Sequence, residues 1–145
     1  MTQTEFEDAY NQARTQMLQY KDDAGEFLIQ PTITGLNNLM LLVPPELEVV
    51  ANKTMRSVLV GGGNSNIILD APDIVVSPFL TNADKFYLLH LDQALKPFVF
   101  QARERLRREI IGQNSIEKKD VMFHTEARYN VGYLAWWNAV LTTFT

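Results

Sequence analysis

Residues 39–58, LMLLVPPELEVVANKTMRSV, hold the pattern from which the fold is read. The apolar run Leu39–Val43 has the length of a buried strand and is too short for a buried helix. Pro44 and Pro45 stop it, because neither offers an amide proton to a ladder, and the same lack suits a proline to the first turn of a helix. Beyond them Leu47, Val50, Ala51, Thr54, Met55 and Val58 recur at the spacing of one helix face. Gly61, Gly62 and Gly63 tolerate positive φ and are expected to end that helix. Strand, proline break and helix thus form one unit.

Working outward toward the N-terminus, Phe6, Tyr10, Ala13, Met17 and Tyr20 predict a helix over residues 4–20 with an apolar, core-facing stripe. Thr4 and Glu7 have the spacing of a capping box at its start, and Asp22, Asp23 and Gly25 are turn residues that close it. Residues 31–38 are polar and turn-prone. In the other direction, residues 67–69 and 74–76 are β-branched runs divided by Pro72, and residues 86–91 and 98–100 read as further strands. Residues 103–111 are mixed in character, 114–120 are polar, and 121–144 form a long aromatic and β-branched stretch. There is no internal repeat, low-complexity tract or linker. The expectation is a single α+β domain over residues 1–145, with two early helices and a mainly antiparallel or mixed sheet.

Composition narrows the function. With 145 residues, 46% hydrophobic and 21% charged, the chain has enough apolar material for one folded core. A net charge of -4 gives no general attraction to phosphate, so nucleic-acid binding would need a local basic patch acting against the overall field. The absence of cysteine removes disulfides, thiolate nucleophiles and Cys-based zinc sites together. No apolar run reaches 18 residues and the first ten residues are acidic and polar, so a soluble, cytoplasmic product without membrane partners is expected.

The chemistry-bearing residues form no constellation that points to catalysis. His90 and His124 fall in predicted strands, with no carboxylate at a spacing typical of metal sites. The run Gly61, Gly62, Gly63, Asn64 lacks the lysine and hydroxyl residue of a phosphate cradle and reads as a loop after a helix. Ser57, Ser65, Ser77 and Ser115 lack a glycine-flanked nucleophile elbow, and Asp70, Asp73, Asp84 and Asp92 sit where turns favour aspartate. Arg103, Arg105, Arg107 and Arg108 are interleaved with Glu104 and Glu109, which suits ion pairs between protein segments better than a phosphate track. Trp136 and Trp137 would point to opposite faces of a strand, one toward the core and one toward a partner. No catalytic residue, cofactor or metal ligand is expected.

Four segments, in order, resemble the major head subunit of Mu-like phages: LLVPPELEVVA at 41–51, IVVSPFL at 74–80, FYLLHLDQALKPFVFQ at 86–101 and ARYNVGYLAWW at 127–137. The runs Lys96-Pro97-Phe98-Val99-Phe100-Gln101 and Ala127-Arg128-Tyr129-Asn130 are the most specific. His90 stands where the family tends to carry aspartate, and Leu134-Ala135 replaces a glycine-containing step.

The resemblance implies a structural, non-enzymatic subunit with the Hong Kong 97-type capsid fold, here the axial domain with part of the peripheral domain. It implies self-assembly into hexamers and pentamers of an icosahedral head, built in the bacterial host cytoplasm and ending in the virion. The similarity covers the family's C-terminal half, so the chain is expected to be a trimmed piece or a split subunit whose partner chain supplies the N-terminal half. On this view Gly61, Gly62, Gly63 and Asn64 form a loop toward the capsomer axis, and Arg103, Arg105, Arg107 and Trp137 meet neighbouring subunits. A free-standing adaptor or tail-associated phage protein is the alternative, and a hydrolase a distant third.

Overall fold

A computed structural model describes residues 2–29, 36–57, 59–60, 64–65, 71–112 and 121–144. The chain divides into two compact units, one formed by Met1–Pro97 with Ala135–Thr145 and the other by Phe98–Leu134.

The first unit is built on a four-stranded mixed sheet. Helix α1, Gln3–Leu18, is started by Thr2, whose side-chain oxygen accepts from the Glu5 amide at 3.3 Å while the Glu5 carboxylate accepts from the Thr2 amide at 2.8 Å. The capping box is therefore Thr2 with Glu5, and the expectation of Thr4 with Glu7 is corrected. The same three-residue spacing occurs twice in succession, and the earlier pair wins because it satisfies two amides that no helix turn precedes. These bonds hold the Glu5 carboxyl below its usual pKa, the Thr2 backbone contributing most. Phe6, Tyr10, Ala13 and Met17 are buried along one side of the helix, as their spacing predicts.

Strand β1, Leu39–Val43, leads through a 3-10 turn at Pro45–Leu47 into helix α2, Glu48–Arg56. The prolines act as expected: Pro44 is extended and Pro45 opens the turn. Helix α2 stops at Arg56, where Ser57 is already extended, so the glycines do not terminate it. Two short strands, β2 at Leu59–Val60 and β3 at Asn64–Ser65, pair antiparallel around them. Residues 58 and 61–63 lie outside the described residues, as do residues 67–69 and most of the span 31–38.

Strand β4, Asp73–Val76, runs parallel to β1, and β5, Lys85–His90, runs antiparallel on its other side. Strand β8, Ala139–Thr143, completes the order β4-β1-β5-β8. Ile74, Leu41, Leu88 and Val140 lie opposite one another in successive strands, one apolar row across the sheet. That row meets Phe6, Tyr10 and Met17 of α1 and Ala51 and Met55 of α2 in one core cluster. Phe6, Phe86 and Phe144 form a three-ring cluster, the Phe86 centroid lying 5.1 Å from Phe6 and 5.5 Å from Phe144, which are themselves 6.3 Å apart. Helices over one face of a mixed sheet give the α+β architecture read from the sequence.

The second unit is a ribbon of two long antiparallel strands, β6 at Phe98–Gly112 and β7 at Val121–Tyr133. Their register runs from Phe98 opposite Tyr133 to Gly112 opposite Val121. It slips once between Ala102 and Glu104 and again between Glu104 and Arg107. Residues 98–100 are thus the beginning of a 15-residue strand, and the mixed stretch 103–111 continues it. After β7 the chain forms a 3-10 turn, Trp136–Asn138, so the two tryptophans do not share a strand. Their rings meet edge-on at 86°, with Trp137 half-buried against the core and Trp136 largely exposed against Tyr20.

Candidate assembly surfaces

The ribbon presents two chemically opposite faces. Side chains alternate along β7, so Val121, Phe123, Thr125, Ala127, Tyr129, Val131 and Tyr133 share one face while Met122, His124, Glu126, Arg128 and Asn130 share the other. Pairing carries the same division onto β6. Phe98, Phe100, Ala102 and Ile110 lie opposite Tyr133, Val131, Tyr129 and Phe123, and Glu104, Arg107 and Glu109 lie opposite Arg128, Glu126 and His124. Ring contacts between Phe98 and Tyr133 at 5.6 Å and Phe100 and Tyr129 at 5.7 Å line the apolar side.

The charged side is an ion-pair ladder. Arg128 reaches Glu104 at 3.3 Å and Glu126 at 3.0 Å, Arg107 pairs with Glu109, and His124 lies 3.8 Å from Glu126. All of these groups are substantially exposed, so the ladder adds little to stability and leaves its charges available to other chains. Glu104, Arg105, Arg107, Glu126 and Arg128 also line an open groove of about 380 Å3.

The expected contact residues fall in different places. Arg107 belongs to the ladder, and Arg103 and Arg105 are exposed within the stretch of β6 where the register slips. Asn64 lies in β3 opposite Val60, while Gly61, Gly62 and Gly63 lie outside the described residues. Trp137 donates from Nε1 to Gln93 Oε1 at 3.4 Å and packs on the core of its own unit. Between the two tryptophans, Trp136 is the more open. Sequence reading missed the apolar face of the ribbon, although the strict alternation of residues 121–133 carries its signal.

His90 is buried at the end of β5, where loss of solvent lowers its pKa and the Asn138 side chain and the Asp92 charge partly counteract that shift. Asn138 is also buried and donates to the Leu95 carbonyl at 2.8 Å, which pins the 3-10 turn to the loop after β5. Among the described residues no three His, Asp or Glu side chains gather as a metal site, and no helix is long and apolar enough to cross a membrane. A groove of about 670 Å3 is open and lined by Glu5, Asp8, Gln12, Asp84 and Thr143, with no histidine in its lining.

Broad exposed strands suit a protein that meets other chains, and comparison with known families agrees. The family model described as Mu-like prophage major head subunit gpT matches residues 2–80 and 81–143. The chain belongs to the Mu-like prophage major head subunit family. No curated protein matches it. As a structural head subunit it assembles with copies of itself in a capsid. The four segments that carried the resemblance fall on β1 to α2, on β4 and its following turn, on β5 to the start of β6, and on β7 to the tryptophan turn of this head subunit.

Proposed function

We propose that this head subunit acts without catalysis, as one capsid-type domain over residues 1–145, the C-terminal half of a Hong Kong 97-type fold. It meets copies of itself in hexamers and pentamers, is assembled in the host cytoplasm and ends in the virion, touching packaged DNA only indirectly. A chain supplying the N-terminal half of the fold is a further partner. The family match over residues 2–143 carries this reading, and the long exposed ribbon supports it, since shells are held by many modest, repeated interfaces.

Within this scheme the segment Gly61, Gly62, Gly63 and Asn64 meets five-fold or six-fold surroundings at the capsomer axis. Arg103, Arg105 and Arg107, with the open side of Trp137, contact neighbouring subunits. Exposed arginines tune register and salt sensitivity more than folding. Electron microscopy of the purified protein is the direct test, with shells or capsomers expected. A stable monomer or a small ring without shells would favour an adaptor instead. Joint replacement of the three arginines by alanine is expected to impair assembly while leaving the fold intact, and normal shells from that variant would remove them from the interface.

A further inference from the structure

The apolar face of the ribbon has no cover within its own unit. Phe98, Phe100, Phe123, Tyr129 and Tyr133 are 44% to 88% exposed, and Ile110, Val121 and Val131 are open beside them. At 150–250 Å2 per aromatic side chain, these residues leave roughly 1,000 Å2 of apolar surface open, above the ~800 Å2 that each partner contributes to a standard stable interface. A lone two-stranded ribbon is marginal in water, so a face of this size calls for a cover.

We propose that this face packs against the same face of a second copy of the chain, giving a two-layer contact between ribbons. Three observations favour that occupant. The chain is a major head subunit, so other copies are its most abundant neighbours. The open area is what a stable contact between two copies requires. The face also carries almost no charge: Arg108, opposite Thr125, is its one paired ionic residue among those described, while the ion pairs lie on the reverse side. Such a surface needs no charged counterpart and is complementary to itself, as an isologous contact demands. Arg108 sits near the middle of β6, where its long stem can lie along apolar surface with its head in water. The inference goes beyond the shell reading, because it names which surface meets which.

The absence of cysteine makes a direct test available. Thr125→Cys and Ala127→Cys place a single thiol on the apolar face, and Gln101→Cys and Asn130→Cys place one on the charged face. Packed sheets lie about 10 Å apart, so a bifunctional maleimide of that span is the probe. The first two variants should give a covalent dimer as the main product and the other two only background. Adding Phe100→Glu and Phe123→Glu to Thr125→Cys should lower the dimer yield at least tenfold. Equal yields from both faces would overturn the proposal. So would a thiol at 125 or 127 that stays open to a monofunctional maleimide, or one that is protected without dimer formation, which would mean that another polypeptide covers the face. Particles scored in parallel by electron microscopy report on the shell reading separately.

Discussion

The two units use the same strand chemistry with opposite outcomes. In the four-stranded sheet the row Ile74, Leu41, Leu88 and Val140 is covered by α1 and α2 of the same chain. In the ribbon the row Phe98, Phe100, Tyr129 and Tyr133 has the same alternation and stays open. Apolar patterning therefore tells which face must be buried but not whether the covering surface comes from within the chain. Where helices lie next to a strand in sequence, the cover is intrinsic. Where two strands pair only with each other, it falls to assembly.

The contrast can be broken by substitution. The largest effect is expected from Phe86→Ala, which removes a buried ring packed on both Phe6 and Phe144 and should cost about 3–5 kcal/mol in urea unfolding. A loss below 1 kcal/mol would show that the first unit is not the stable core. Asn138→Ala leaves the Leu95 carbonyl without its donor and should cost about 1–3 kcal/mol by the same measurement.

Acidification should act through His90. Its folded pKa lies below the ordinary value, so the unfolded chain takes up the proton first as pH falls. Stability is full above the ordinary imidazole pKa and declines as pH drops below it. Melting temperatures from pH 8 to pH 5 should fall less steeply in His90→Gln, and identical profiles would remove His90 from the account. The smallest change is expected from Arg128→Ala, at most ~0.5 kcal/mol, because its ion pairs are exposed. A larger loss would mean that the ladder stabilises the ribbon itself.

Much of the first unit is legible in the sequence because each element there has one buried side and an unbroken period. The stripe Phe6, Tyr10, Ala13, Met17 and the run Leu39–Val43 followed by two prolines are direct readings of that kind. The ribbon was harder to read for a physical reason. Two slips in register near Arg103–Arg107 break the alternation of β6 in its middle, where Glu104 falls on the charged face although it shares the even numbering of Phe98, Phe100, Ala102 and Ile110. The tryptophan pair was misplaced because aromatic residues favour strands by propensity, whereas Asn138 and its bond to Leu95 draw the segment into a turn. The arginine cluster was visible from composition, but which arginines pair within the ribbon depends on cross-strand register, which a single strand's sequence does not contain.

The two slips in β6 also bear on how this ribbon can change in length. Strand β6 spends 15 residues against 13 in β7, and the two bulges hold the difference. Losing one residue at a bulge would straighten β6 locally and leave both ends of the ribbon facing as before. Losing one from the regular part of β7, such as Thr125, would turn over every side chain between there and the tip. Insertions and deletions that descendants of this gene can survive are thus expected to collect beside Arg103–Arg107 and to be rare along the facing strand.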